Sequence, residues 1–279
     1  MGLIDSPSTA FERSPLVPVA AYLVVLCVLS ALVAVSPTAS PPPLLGVAWG
    51  VFLAALAVGA STAEGVSVRT IFPPVRSLIA VGGVLVAFWA LYNLAALALA
   101  VGGIAGFDAA WSRAAAHPLA YLAALASSLL FTAIPEELFF RSYLQQRVVA
   151  MVGGDSRRAV VTGVAAVALL FAVFHLPRWF LASGHGVGPA LAGRLAGLTL
   201  AGLAFGIVYV LTENLWLVAL LHATMNYRPL LVAVDVPADL HLLVGAAEYA
   251  AAVAVVYLAV RIVDPDGAST RWVRQEAAS

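Results

Sequence analysis

What most constrains this chain is a series of apolar runs, each about as long as a bilayer crossing. A spanning helix needs roughly 20 mostly apolar residues to cover a hydrocarbon core of about 30 Å. About eight stretches qualify: Leu16–Val35, Leu44–Ala60, Leu78–Ala100, Leu119–Ile134, Ala159–Phe174, Leu191–Leu211, Leu215–Val234 and Leu240–Ile262. Of 279 residues, 63% are apolar and only 10% charged, whereas soluble domains carry roughly 25% charged residues. Backbone groups in lipid must pair internally. The runs therefore predict an all-α, polytopic membrane protein of about eight transmembrane helices, with any active site inside the helix bundle. The first run exceeds the ~7–15 residues of a signal-peptide core. It is read as a retained helix, although Ala34-Val35-Ser36 offers small residues at a cleavage-like place.

The chain divides accordingly into a cytoplasmic N-terminal segment (1–15), N-terminal transmembrane helices (16–118), a catalytic core (119–234), a last transmembrane helix (235–263) and a cytoplasmic tail (264–279). Pro37, Pro41-Pro42-Pro43 and Pro73-Pro74 punctuate the early connections, since proline fixes φ and removes a donor. Gly153-Gly154-Asp155-Ser156 reads as a turn that ends in a helix N-cap, and Ser183–Pro189 as a flexible loop. Gly193-x-x-x-Gly197 and Gly202-x-x-x-Gly206 give the sixth run a small face for close helix packing.

Formal net charge is zero, every basic residue is arginine, and no basic patch points to nucleic acid. With eight spans, one side holds Arg13, Arg69, Arg76, Arg141, Arg147, Arg157, Arg158, Arg261, Arg271 and Arg274. The other holds Arg113, Arg178, Arg194 and Arg228. Arginine accumulates on the cytoplasmic side, so the expectation is a multi-pass cell-membrane protein with both termini in the cytoplasm. The single cysteine, Cys27, cannot form an internal disulfide and is read as a buried, inert thiol.

Ionisable residues within apolar helices are expensive and functional by default. Three groups stand out. Glu136 and Glu137 are helix neighbours and point about 100° apart, so they cannot share one task equally. Glu137 precedes Arg141 by four residues, the orientation that best forms a helical ion pair. Glu136 is the acid left free to act as a general base, although Gln145, Gln146 and Arg147 downstream fit a helix emerging into water. His175 ends the fifth run, with Phe171 one turn earlier and Pro177 stopping the helix; Arg178 and Trp179 read as interface anchors. His222 and Asn226 share a helix face. No Gly-x-Ser-x-Gly elbow and no His-Glu-x-x-His accompany them. The chemistry that remains is a water attacking an acyl centre, with Glu136 taking its proton, His175 holding it, and His222 and Asn226 donating to the oxyanion. Glu248 lies inside the last run, bonded to another helix or marking a second site. His117, His185 and His241 are read as surface residues, Glu213-Asn214 as a short turn, and Asp235 and Asp239 as loop charges.

Together, Glu136-Glu137-Leu138-Phe139-Phe140-Arg141, Phe171-Ala172-Val173-Phe174-His175 and His222-Ala223-Thr224-Met225-Asn226 resemble the three motifs of the CAAX-protease and bacteriocin-processing family of membrane proteins, which includes the Ras-converting endopeptidases. The likeness spans roughly 119–234. It implies a glutamate-dependent intramembrane endopeptidase in which Glu136 and His175 activate water and His222 and Asn226 form the oxyanion site. Glu137, Arg141 and Phe171 would support them. It implies a peptide or lipidated protein as substrate and the bilayer as partner. No cofactor is expected; zinc, which Glu and His can bind, is not favoured because Asn226 is a poor ligand. The rival classes are a non-catalytic scaffold or immunity protein and a transporter; the broken helices and paired halves of transporters are not evident.

Overall fold

The computed structural model describes residues 15–36, 42–66, 77–154 and 156–263. Expectations for the N-terminal segment through Ser14, for Pro37, Pro41, Pro73-Pro74 and Asp155, for Arg13, Arg69, Arg76, Arg271 and Arg274, and for the tail from Asp264 lie outside those residues.

Among the described residues, seven helices are long and apolar enough to cross a membrane, and the protein is an all-α, multi-pass membrane protein. They include α1 (Leu16–Val35), α2 (Pro43–Ala63), α3 (Ser77–Val101) and α4 (Pro118–Val152). After these come α5 (Arg157–Phe174, continuing as a wide turn Arg178–Ala182) and α6 (Pro189–Thr212), then the shorter α7 (Leu215–Asn226) and finally α8 (His241–Val263). Local chemistry sets several of these boundaries. Pro43 and Pro189 open α2 and α6, where a missing N–H is harmless. Ser156 caps α5 by accepting from the Ala159 N–H at 3.2 Å, as expected. Glu213, at φ 48°, ends α6, and Asn214 caps α7 through the Leu217 N–H at 3.2 Å.

The seventh crossing differs from expectation. Leu215–Val234 was expected as one spanning helix, but α7 has 12 residues, about 18 Å at 1.5 Å per residue. Beyond Asn226 the chain extends and ends in β2 (Val232–Val234), paired antiparallel with β1 (Phe107–Trp111). Pro229 supplies no donor with which to continue the helix. Helix α3 carries the segment instead. Asn214 Nδ2 donates to Ser77 Oγ at the start of α3 (3.2 Å). Asn93, well along α3, donates to the Pro229 carbonyl at 3.0 Å and accepts from the Leu231 N–H at 2.6 Å. Residues 214–231 thus run beside α3, first as helix and then as extended chain with its polar groups held by protein, the condition for non-helical backbone at membrane depth. The hydropathy pattern carries no sign of the two-stranded pairing, because it marks apolar runs and not backbone partners.

Helix α4 is the other departure. It was expected to emerge into water near Gln145, but it runs on to Val152 with Gln145 and Arg147 buried. Arg147 Nε instead meets Glu64 Oε2 at 3.1 Å, tying the far ends of α2 and α4. Within α4, wide π-helical turns at Leu129–Ala133 and Leu138–Gln145 flank Ile134–Glu137. An α-helical turn would pair the Phe131 carbonyl with the N–H of residue 135, and proline has none. That carbonyl faces Gly50 of α2 so closely that a Cβ there would collide with it. Single wide turns of this kind recur at functional sites.

The small face of α6 is half used. Cβ atoms at Gly202 and Gly206 would meet Ala168 Cα at 2.8 Å and Gln145 Oε1 at 2.8 Å, while Gly193 and Gly197 face open space. Cys27 is exposed on the outside of the bundle, not buried, because α1 packs through Tyr22, Val25 and Leu29. Tyr22 anchors α1 to α5 by donating to the Leu170 carbonyl at 2.7 Å. Glu248 is bonded across helices, accepting from Tyr92 of α3 at 2.6 Å and from Arg228 at 2.7 Å.

Overpacking a helix contact destabilises by about 1–3 kcal/mol. Gly202→Leu is expected to lower the unfolding midpoint in detergent accordingly, and Gly193→Leu to leave it unchanged. Equal effects would show that the α5–α6 approach is not the tight one.

Candidate active site

The short turn around Pro135 places both glutamates inside the bundle: Glu136 is 6% exposed and Glu137 fully buried. Their neighbours differ. Glu137 Oε2 receives Arg141 Nε at 3.0 Å, with both side chains buried. Its other oxygen, Oε1, lies 2.7 Å from His222 Nδ1. One carboxylate therefore joins α4 to α7 and is filled by two partners. Glu136 has a looser contact, 3.9 Å from its Oε2 to His222 Nε2. It also lines a cavity of about 540 Å³.

His175 lines the same cavity from the end of α5. Its Nδ1 lies 2.8 Å from the Phe171 carbonyl. A carbonyl only accepts, so Nδ1 carries the proton and Nε2 keeps its lone pair. The Phe171 ring stands edge-on to both imidazoles, with centroids 4.8 Å from His175 and 6.0 Å from His222. Its other side receives the Arg141 guanidinium, 5.4 Å from the centroid. Phe205 of α6 stacks on His222 at 4.9 Å. Phe140 and Phe174 complete an apolar shell around Phe171.

The structure thus groups Glu136, Glu137, Arg141, Phe171, His175 and His222 in one cluster. Asn226 stands apart: it is the last residue of α7, is exposed, and is not among the residues lining the cavity. His222 likewise lies behind the cavity wall, reaching it through Glu136.

The cavity lies among the end of α1 (Leu29, Leu32, Val33), the start of α2 (Leu45, Trp49), Phe131 and Thr132 of α4, and the segment after His175. Its mouth carries Arg178, Trp179, His185 and Arg194. Trp179 stacks on His185 at 4.4 Å and donates to the Gly186 carbonyl at 3.1 Å. The Ser183–Pro189 loop is therefore tied to the helix before it. His185 is exposed, as expected, and it lines this site together with Arg178 and Trp179, which were expected only as membrane anchors. Arg194 carried a usable signal, a charge set within an apolar run. Trp49 and Thr132 carried none, since nothing in their local pattern departs from ordinary helix.

Among the described residues no group of three or more His, Cys, Asp or Glu side chains is placed to hold a metal ion. Each imidazole engages its Nδ1, with the Phe171 carbonyl and the Glu137 carboxylate, which leaves Nε2 as the ring atom available to a ligand or a water.

Residues 115–228 match a family model described as Type II CAAX prenyl endopeptidase Rce1-like. The match contains Glu136, Glu137, Arg141, Phe171, His175, His222 and Asn226. No curated protein and no solved structure matches the chain.

Removing one partner of a buried ion pair destabilises by about 3–5 kcal/mol. Arg141→Gln is therefore expected to lower stability by that order in denaturant unfolding, and an unchanged midpoint would show that Glu137 needs no guanidinium.

Proposed function

We propose that the protein is an intramembrane glutamic endopeptidase, a reading supported by the match of residues 115–228 to the Rce1-like CAAX endopeptidase family model. It hydrolyses a peptide bond of a membrane-associated or lipidated peptide. The observation that carries this reading is that Glu136 and His175, from two different helices, line one cavity with otherwise largely apolar walls.

A water in that cavity gives a proton to Glu136 while the Nε2 lone pair of His175 holds it in place. The oxygen attacks the scissile carbonyl, and negative charge develops on the carbonyl oxygen. His222 meets that charge through Nε2 as an imidazolium, since its Nδ1–H is donated to Glu137, whose carboxylate is the counter-ion. Asn226 adds a second donor when substrate draws the end of α7 inward. Glu136 then passes its proton to the leaving amine. Glu137, Arg141 and Phe171 act by holding His222 and His175. The two glutamates thus divide the work: one is consumed in packing and the other works at the cavity.

The family's name supplies a prenylated peptide as substrate class, and walls of Leu, Val, Phe and Trp suit an apolar attachment. The reaction runs without metal, a reading supported by the donor set: among the described residues no three His, Cys, Asp or Glu side chains are grouped to hold an ion. Both termini lie in the cytoplasm, supported by the arginine distribution. The cavity mouth, formed by the end of α1, the start of α2 and the segment 178–194, then opens on the opposite face of the membrane.

In purified protein presented with a peptide library in liposomes, Glu136→Gln is expected to lower cleavage by about 100-fold or more with the unfolding midpoint kept. Glu137→Gln should lose stability as well as rate. Full cleavage by Glu136→Gln would reverse the two roles, and peptide bound but never cut by the parent protein would favour a scaffold. A chelator is expected to leave the rate unchanged; loss that zinc restores would refute the metal-free route. With Cys27 replaced by Ala, a cysteine at position 183 should react with an impermeant maleimide added outside intact cells. Labelling only after permeabilisation would invert the orientation.

A further inference from the structure

Neither donor assigned to the oxyanion lines the cavity: His222 lies behind its wall, and Asn226 is exposed at the end of α7. A carbonyl carried in by a peptide therefore meets other groups first. Three hydroxyls line the cavity among the described residues: Ser36, Thr132 and Ser183. Ser36 follows the end of α1, and Ser183 follows the wide turn Arg178–Ala182. Thr132 is the one on α4, a turn before Glu136. Side chains four residues apart on a helix are neighbours, with Cβ atoms about 5–6 Å apart. A scissile carbonyl can lie against both at once.

The Thr132 hydroxyl is also free. Ser61, Thr212 and Thr224 each donate to the carbonyl four residues back, at 2.8 Å in all three cases, the local bond by which a helical hydroxyl is satisfied in apolar surroundings. Thr132 makes no hydrogen bond within the described residues. It lies in the wide turn Leu129–Ala133, where the carbonyls behind it depart from the α-helical register. It is half-buried, and Phe131 and Trp49 line the cavity beside it. A hydroxyl in such surroundings is costly without a partner, and the cavity is the side from which a partner arrives.

We propose that Thr132 is a further catalytic residue, whose hydroxyl donates to the scissile carbonyl oxygen as negative charge develops there. This deepens the endopeptidase reading and rests on its assignment of the cavity as the substrate site. Water attacks the carbonyl carbon after giving its proton to Glu136, and the electron pair of the C=O π bond moves onto oxygen. Thr132 keeps its own proton and shares it with that oxygen through a hydrogen bond that strengthens as the charge grows. This donor is in place before any movement of α7, and His222 and Asn226 add to it. It also sets the register of cleavage, because only a carbonyl within reach of Thr132 and of the water at Glu136 is activated.

The test compares oxygen with sulfur at the reacting bond. A peptide that the parent protein cleaves in phosphatidylcholine liposomes is made with either an amide or a thioamide at the cleaved position. Sulfur is the weaker hydrogen-bond acceptor, so a donor aimed at that atom shows as a preference for the amide. Thr132→Val is expected to lower kcat on the amide about tenfold or more. KM should stay within about twofold, since the interaction is made chiefly in the transition state. The preference for amide over thioamide should shrink in the same variant, and Thr132→Ser should restore both. An unchanged unfolding midpoint marks the valine variant as folded; if it is not, Thr132→Ala is measured in its place. An unchanged kcat overturns the proposal. So does a lowered kcat with the amide preference intact, which would assign the hydroxyl to the attacking water or to packing. A parent protein that cuts no peptide overturns the endopeptidase reading and this proposal with it. Full activity in Thr132→Val beside an inactive Glu136→Gln overturns this proposal alone, so the two failures are distinct.

Discussion

The structure depends on one buried carboxylate. Glu137 is fully shielded and bonded on both oxygens, to Arg141 on its own helix and to His222 on α7. Among apolar helices an unpaired charge is intolerable, so this arrangement has few alternatives. It fixes the rotation of α4 about its axis, and through that rotation it turns the adjacent Glu136 towards the cavity. It also orients the His222 ring, which is packed between Phe205 and Phe171. The π-helical turns on either side of Pro135 give α4 the local freedom to present two neighbouring acids to different surroundings.

Two further ion pairs, one buried and one with an exposed arginine, repeat the logic at other points of the bundle. Glu64 with Arg147 closes α2 against α4. Glu248 with Arg228 and Tyr92 holds the chain just beyond α7 against α3 and α8. The second matters for the site because it lies where the seventh crossing changes from helix to extended chain. Asn93 of α3 secures the same stretch from the other side. The end of α7, with Asn226 on it, is therefore framed by fixed points while itself remaining exposed.

The cavity is bounded by α1, α2 and the segment after α5, so the helices of the region that matches the Rce1-like family model only partly enclose it. Leu29, Leu45 and Trp49 lie N-terminal to the matched region 115–228 and yet form its wall. Glu136 and His175 come from that region, and much of the apolar wall beside them comes from outside it.

Much of this was legible in the residues. Apolar length alone located α1, α3, α5, α6 and α8 almost to the residue, because a helix in lipid has no other way to pair its backbone. The four-residue step from Glu137 to Arg141 foretold their pairing, since helical periodicity places those side chains together whatever surrounds them. Leu215–Val234 misled for the converse reason: hydropathy measures whether a segment tolerates lipid and says nothing of whether Asn93 and Ser112 wait nearby to satisfy an extended backbone. Gln145 and Arg147 looked like a helix leaving the membrane because their partners lie elsewhere in the chain: Glu64, 83 residues from Arg147, and the Gly206 carbonyl, 61 residues from Gln145. By itself the sequence determined the membrane class, the helix order and the pairing of Glu137 with Arg141 that leaves Glu136 free, all set by local periodicity and transfer energetics. Only the tertiary structure decided that Glu136 and His175 line one cavity, that Asn226 stands outside it, and that Arg178 and Arg194 line it too, because those outcomes depend on contacts between segments that no local pattern encodes.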